Sequence, residues 1–212
     1  MKNFKAFTLV EVMVCIILTA IVAFFIYTMM LSAHKTYFKL FSVSRQKNDI
    51  RYFETLIKRS VSSAQVYELN GNQLIFKYYH WNSASASLKY RVDVYSCGSA
   101  LKSDATGSNI EDLMGKKNTE IKSSYSGTTD TTIYLTVYEG SSYENAIAST
   151  PIMSNEVVME NVNKLFYYKK QISNTTPVWH MAVVYNRTLD DGEVDYEYMI
   201  YTICMENLFY ME

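Results

Sequence analysis

The chain has 212 residues, 49% of them hydrophobic, and a formal net charge of −1, which suits one folded domain with an appendage. This balance of charges offers no basic surface to a polyanion, so we expect no nucleic-acid binding. Tyrosine dominates the aromatic residues, with 19 Tyr against 10 Phe and 2 Trp, and this composition is typical of half-buried strands.

Residues 7–31 form a long apolar run in which Glu11 is the one charged residue. About 20 helical residues, each rising about 1.5 Å, cross a bilayer core of about 30 Å, so the run predicts a transmembrane helix. Lys2 and Lys5 precede it, which predicts a cytoplasmic amino terminus and an exported remainder. A cleaved secretory signal fits less well, because the run is too long and no small-x-small site follows it. A plain one-pass anchor stays open but leaves Glu11 unexplained.

The residues around Glu11 resemble the leader junction of type IV pilins and pseudopilins. The stretch Lys5-Ala6-Phe7-Thr8-Leu9-Val10-Glu11 joins a short basic leader to Phe-Thr-Leu-x-Glu at the head of an apolar helix. The resemblance implies that a prepilin peptidase cuts between Ala6 and Phe7 and N-methylates Phe7, which makes residues 1–6 a leader peptide. The family usually has Gly before the cut, so Ala6 predicts slower cleavage.

Cleavage before Phe7 would give Glu11 a partner. The new α-amino group is mostly protonated at neutral pH. It lies four residues before Glu11, the i,i+4 spacing of a helix, and the same pair can form between neighbours in a filament. An unmatched charge is costly at low dielectric, and the resemblance implies that this acid guides a subunit into register during assembly. The alternative is a protonated or snorkelling Glu11 near the cytoplasmic face.

Beyond the apolar run, residues 34–63 contain no Pro or Gly and keep a rough helical period of apolar side chains opposite a basic face. We therefore predict one helix over residues 7–62, transmembrane at 7–31 and amphipathic beyond. Such a basic face is more often a solvated surface than a binding patch. Residues 63–212 are predicted to form an exported, β-rich globular domain.

Period-two alternation predicts the strands of that domain. Gln65–Leu69 and Gln73–Tyr78 flank Asn70-Gly71-Asn72, a hairpin signal because Asn-Gly tolerates positive φ. Residues 97–130 are rich in Ser, Thr, Gly, Asn and Asp, and we interpret them as a long surface excursion with a short helical turn near Ile110–Met114. The fold class is α+β, a long helix packed on an antiparallel sheet. Further strands are predicted at Leu88–Tyr95, Thr132–Tyr138, part of Glu156–Lys169, Trp179–Tyr185 and Val194–Cys204.

The order of these elements is similar to that of the larger minor pseudopilins and minor pilins. The J-type pseudopilin of type II secretion and the W-type minor pilin of type IV pili have this layout, whereas the K-type pseudopilin characteristically lacks the acid found here at Glu11. The resemblance implies a pilin-like fold and a structural subunit of a type IV pilus, a type II secretion system or a DNA-uptake pseudopilus. Its implied partners are the prepilin peptidase, other pilins or pseudopilins and an inner-membrane assembly platform.

No motif in the sequence predicts an enzyme. His34, His80 and His180 are far apart, and neither a Gly-x-Ser-x-Gly motif nor a phosphate-binding glycine loop occurs. A thiol nucleophile at Cys97 or Cys204, with His180 as its base, has no local support.

Two further features of the sequence stay open. Cys97 and Cys204 are a candidate disulfide if the domain is exported, and two unrelated thiols fit the pattern as well. An acidic cluster around Gly192 is a weak candidate for a Ca²⁺ site, although a solvated hairpin tip is commoner, and we expect no other cofactor. The acidic residues of this cluster are Asp190, Asp191, Glu193 and Asp195.

Tyrosine-rich stretches leave a rival function open. Phe166-Tyr167-Tyr168 and Lys77-Tyr78-Tyr79-His80-Trp81 could form a face that binds a carbohydrate or a partner, and the chain would then be a pilus-tip adhesin. Cross-strand packing in a sheet explains most of these aromatic residues without a ligand.

Overall fold

The computed structural model describes residues 8–104, 106–125, 130–171, 177–188 and 194–204. Its architecture is α+β, with a long amino-terminal helix followed by an antiparallel sheet domain, which confirms the predicted fold class. The chain divides into two units, Met1–Arg45 and Gln46–Glu212, so the last part of the long helix belongs to the second unit.

Helix α1 spans Leu9–Ser63, close to the predicted residues 7–62. Its length follows from a sequence without Pro or Gly over this range. In the first unit the large apolar side chains of α1 are exposed. In the second unit its apolar side chains at Phe53, Ile57 and Val61 are buried.

The second unit is built mainly from strands. The described strands are β1 (Val66–Asn70), β2 (Gln73–Asn82), β3 (Ser87–Ser96), β4 (Leu101–Ser103), β5 (Thr131–Gly140), β6 (Met153–Gln171), β7 (Pro177–Thr188) and β8 (Val194–Cys204). The described helices after α1 are α2 (Ser108–Leu113), α3 (Asn118–Tyr125) and α4 (Tyr143–Ala148), with a single 3-10 turn at Gly98–Ala100. Each strand that period-two alternation predicts is present, and β8 has the predicted bounds. Neither β4 nor α4 follows from that alternation.

The strands form one sheet in the order β1-β2-β3-β5-β6-β7-β8, and consecutive neighbours in this order are antiparallel. The long strand β6 pairs with β5 through its first half and with β7 through its second half. Strand β4 pairs in parallel with the second half of β6. It lies on the same side of β6 as β5, which pairs with the first half. Asn155 and Asn161 have positive φ angles of 49° and 58°, and the β5–β6 register shifts along this stretch, which is typical of bulges.

The first hairpin forms where the sequence predicts it. Asn70 pairs with Gln73, so the two central residues of the turn are Gly71 and Asn72. Gly71 has a φ of 58°, which glycine adopts without the steric cost of a Cβ atom. A positive φ at the first central residue is characteristic of a type II′ turn, whose twist matches that of the paired strands.

The main core lies between the last turns of α1 and the inner face of the sheet. Phe53 and Ile57 of α1 are 1% and 0% exposed. Within this core Trp179 packs edge-on against Phe76, with ring centroids 5.3 Å apart. Burial of a large apolar side chain contributes about 1.5–3 kcal/mol, so the burial of Phe53 and Ile57 holds the last turns of α1 to the sheet.

A buried carboxylate adds polar contacts between α1 and the sheet. Asp93 is 0% exposed. Its Oδ2 accepts hydrogen bonds from Ser60 Oγ at 2.7 Å and Tyr78 Oη at 2.8 Å, and its Oδ1 accepts one from Arg91 Nε at 2.8 Å. Ser60 Oγ also lies 2.8 Å from Tyr95 Oη. We refer to these five residues as the Asp93 network.

The described residues of 97–130 form more secondary structure than the predicted surface excursion. They contribute the 3-10 turn, β4, α2 and α3, and α2 confirms the short helix predicted near Ile110–Met114. Ile110, Leu113 and Ile121 are buried in a second core on the outer face of β6–β8. The polar composition predicts a surface segment because most side chains of these short helices face water. Each helix needs only a few apolar residues to cover a face of the sheet.

In the structure Cys15, Cys97 and Cys204 are all free thiols, which is the alternative of unrelated thiols that the sequence left open. Cys97 is buried in the main core, and this burial raises the pKa of its thiol to about 12. Cys204 is exposed at the end of β8. A thiol with so high a pKa is almost wholly protonated at neutral pH, so the burial also argues against Cys97 as a nucleophile.

Candidate assembly site on the amino-terminal helix

Helix α1 begins with a reciprocal cap between Thr8 and Glu11. The backbone N–H and the hydroxyl of Thr8 donate to Glu11 Oε2, at 2.8 and 2.9 Å. In return the backbone N–H of Glu11 donates to Thr8 Oγ1 at 3.3 Å. This arrangement is the capping box, which satisfies two N–H groups that a helix start would otherwise leave unpaired.

The cap holds Glu11 in place and leaves part of its carboxylate open. Both donors from Thr8 contact Oε2, and within residues 8–104 no donor contacts Oε1. Oε1 can therefore accept a hydrogen bond from an ammonium group while the cap persists. Ala6 and Phe7, the predicted processing residues, lie outside the described residues, so the predicted amine pair with Glu11 is untested.

The role predicted for Glu11 from the sequence is that of one member of a charge pair, and the cap by Thr8 is not among the predictions. The signal is present, since Thr8 and Glu11 have the Thr-x-x-Glu spacing of a capping box directly before an apolar run. The structure therefore gives Glu11 a local hydrogen-bonding role that exists before any cleavage.

The apolar side chains behind this cap are exposed along the whole first unit. From Leu9 to Leu31 every large apolar side chain is at least 45% exposed, with Leu9 at 79%. Leu9–Ser63 is the one described helix that is long and apolar enough to cross a membrane, and no residue of its most apolar stretch is buried. Such a surface is stable only when lipid or other apolar helices cover it.

A shallow groove of small side chains runs along one face of this segment. Thr19 donates its hydroxyl to the carbonyl of Cys15 at 2.8 Å, so its polar group is satisfied within the helix. Small residues spaced four apart allow two helices to approach closely inside a membrane. The groove is lined by Val12, Cys15, Ile16, Thr19, Ala20 and Ala23. This groove is not among the features predicted from the sequence.

A comparison with protein-family models decides what the segment is. The model for the Prokaryotic N-terminal methylation motif matches residues 1–27. The chain carries a prokaryotic N-terminal methylation motif. This motif includes both residues of the capping box, the predicted cleavage point and the small-residue groove. It supports the resemblance to type IV pilin-like proteins, which are structural subunits processed by a prepilin peptidase and associated with other pilins.

The methylation motif and the apolar helix together indicate a membrane-anchored protein. The comparison with curated proteins and the comparison with solved structures found no match. The subtype suggested by the order of the strands therefore rests on the sequence layout alone.

The structure bears only in part on the other candidate residues. Asp190, Asp191 and Glu193 lie outside the described residues, and Asp195 is the described member of the predicted Ca²⁺ cluster. Among the described residues no group of three or more His, Cys, Asp or Glu side chains is placed to hold a metal ion. His80 Nε2 lies 2.8 Å from Glu139 Oε2, in a polar pair at the edge of the sheet.

Proposed function

We propose that this protein is a minor pilin or pseudopilin, a structural subunit that assembles into a filament or at its tip. The prepilin peptidase cuts it between Ala6 and Phe7 and methylates the new amino group of Phe7. Before assembly it is a single-pass membrane protein with a cytoplasmic amino terminus and an exported sheet domain. Its partners are other pilins or pseudopilins and the inner-membrane assembly platform.

The observation that carries this proposal is the combination of a capped acid with an uncovered apolar helix. Glu11 lies one turn inside a segment whose large side chains are all exposed, and the methylation motif covers both. The same apolar surface suits lipid before assembly and neighbouring helices afterwards. The small-residue groove gives a neighbouring helix a place to pack closely.

Glu11 supplies selectivity within that packing. Its Oε1 can meet an ammonium group, either its own processed terminus or that of a neighbour, and an isolated carboxylate in lipid costs about 2.5–3.5 kcal/mol on insertion scales. A subunit out of register would leave that charge without its partner. Pairing of this acid therefore favours one axial position over others.

Processing is tested by intact-mass measurement of the protein extracted from membranes. We expect the loss of residues 1–6 and the gain of one methyl group on Phe7. Ala6→Gly should be processed faster, because Gly is the family's usual residue before the cut, and Ala6→Leu should remain uncut. A wild-type chain that keeps its full amino terminus would refute processing.

Assembly is tested by substitution of the acid. Glu11→Ala should insert into the membrane normally and fail to enter filaments or recruit its partners. Thr8→Ala, which removes the cap and keeps the acid, should cost the helix start about 1 kcal/mol and reduce incorporation less than Glu11→Ala does. Unchanged incorporation of Glu11→Ala would remove the role proposed for the acid.

A second candidate function, a pilus-tip adhesin, is favoured by an exposed aromatic patch on the β2–β3 hairpin. Trp81 and Tyr79 are 63% and 47% exposed, and their cross-strand partners are Leu88 and Tyr90. Exposed aromatic rings suit stacking on a sugar or a protein surface. Trp81→Ala should then abolish surface binding while filaments form normally, whereas unchanged binding would favour the scaffold alone.

A further inference from the structure

A cleft of about 170 Å³ lies between helix α2 and the outer face of the sheet. Its volume suits one large side chain rather than a length of polypeptide. The sheet supplies Tyr168, His180 and Ile200 to its walls, and the α2 region supplies Ile110, Glu111 and Met114. It is distant in sequence from the methylation motif, and the proposed assembly mechanism does not use it.

One wall of the cleft is a pair of aromatic rings with fixed positions. Tyr168 and His180 are direct cross-strand neighbours on β6 and β7. Their rings are 22° from parallel, with centroids 6.2 Å apart. His180 Nδ1 lies 3.2 Å from Thr202 Oγ1 on β8, which orients the imidazole ring. The wall is therefore ordered without a ligand.

The opposite wall approaches these rings closely because residue 107 is glycine. Gly107 has a φ of 78°, a backbone angle that residues other than glycine rarely adopt. A Cβ atom at this position would lie 3.0 Å from the Tyr168 ring, tighter than ordinary contact. The chain therefore keeps the start of α2 against Tyr168, and the cleft keeps its depth.

The mouth of the cleft carries one negative charge. Glu111 is exposed, and its carboxylate has no hydrogen bond or ion pair with any described residue, unlike its neighbour Asp112, which pairs with Lys116. The cleft thus combines apolar walls, an aromatic face and an uncompensated carboxylate. This combination suits a ligand with an aliphatic stem and a cationic end.

We propose that this cleft binds an arginine side chain presented by a protein partner. The methylene stem packs against Ile110, Met114 and Ile200, and the planar guanidinium stacks on the Tyr168–His180 rings and donates to Glu111. Arginine suits the site better than lysine, because a flat guanidinium stacks on aromatic faces and is more weakly hydrated than an ammonium.

Methyl NMR of the full chain in uncharged detergent micelles tests the proposal. The probe is Nα-acetyl-arginine N-methylamide, and the matched neutral probe is the citrulline analogue, which has the same shape without the charge. With arginine we expect saturable shifts of the Ile110, Ile200 and Met114 methyl groups and no shift of Ile133, which is buried in the main core. The citrulline probe should bind more weakly.

Two variants test whether the negative charge of Glu111 contributes to arginine binding. Glu111→Gln should weaken arginine binding by about two- to fivefold, the range expected for an exposed ion pair, and remove the preference over citrulline. Glu144→Gln makes the same change in the first turn of α4, away from the cleft, and should leave binding unchanged. Equal shifts with both probes, absence of saturation, or an arginine affinity that Glu111→Gln leaves unchanged would each overturn the proposal.

Discussion

At the scale of single residues, the Asp93 network shows how the second unit tolerates a buried charge. A carboxylate out of water is costly unless its oxygens are paired, and Asp93 has Arg91 on one oxygen and Ser60 and Tyr78 on the other. Burial and the neighbouring Asp93 charge raise the pKa of the Tyr78 and Tyr95 hydroxyls above the usual range. The network therefore requires both tyrosines to stay protonated.

This requirement predicts a loss of stability at alkaline pH. Unfolded tyrosine ionises near pH 10, while Tyr78 and Tyr95 keep their protons in the folded chain, so above about pH 10 the unfolded state binds fewer protons. The contribution of these two tyrosines to the free energy of unfolding should be constant below that pH. It should fall as the pH rises above it. The buried thiol of Cys97 adds to the same trend from about pH 8.5.

Urea unfolding of the full chain in micelles between pH 8 and 11 measures this trend. Tyr78→Phe should lower stability at pH 8, because Asp93 loses a donor, and should flatten the decline above pH 10. Tyr37→Phe, at an exposed position of α1, is the matched control and should leave the curve as in the wild type. An unchanged alkaline slope in Tyr78→Phe would contradict the explanation.

At the scale of elements, the small-residue groove of α1 makes a prediction about packing rather than charge. Ala20→Leu fills the groove and makes the helix more apolar, so membrane insertion should be unaffected. Close approach of a neighbouring helix should be lost, at a cost of about 1–3 kcal/mol, the usual range for overpacking. The measurement is the fraction of the subunit recovered in sheared filaments against that in membranes.

Ala33→Leu is the matched control, because it is the same change on α1 outside the groove. It should leave incorporation close to that of the wild type. Equal loss in both variants would assign the effect to general crowding of the helix, and no loss in either would show that the groove is not a packing face.

The elements also differ in how far the sequence predicts them. Strands β1, β2, β3, β5, β7 and β8 are present where the period-two pattern of the sequence predicts strands. Helices α2 and α3 are short and polar, and their burial depends on a sheet face supplied from distant sequence. Ser60 and Tyr78, two of the partners of Asp93, come from other elements, and so do the two walls of the cleft beside α2, so local patterns do not contain them. Glu11 is different, because its motif is local.

At the scale of the whole molecule, the second unit has helices on both faces of its sheet. The end of α1 covers the inner face, α2 and α3 cover β6–β8 on the outer face, and α4 packs on β3 and β5. The described residues of 97–130 therefore contribute buried side chains to both cores as well as exposed surface. Removing them would uncover Phe166, Ala182 and Val184.

This arrangement predicts that deleting residues 97–130 destabilises the second unit rather than selectively removing a surface function. The point substitution Leu113→Ala isolates the cause, because Leu113 is 0% exposed in the second core. It should lower the free energy of unfolding by about 2–5 kcal/mol, the usual cost of a large-to-small change at a buried leucine. Met114→Ala removes a neighbouring apolar side chain that is 62% exposed, and it should change stability by less than about 0.5 kcal/mol. If Leu113→Ala and Met114→Ala melted alike, and the deletion variant kept the wild-type melting temperature, the second core would contribute nothing to the fold, and the excursion would be the solvated surface segment that its composition suggests.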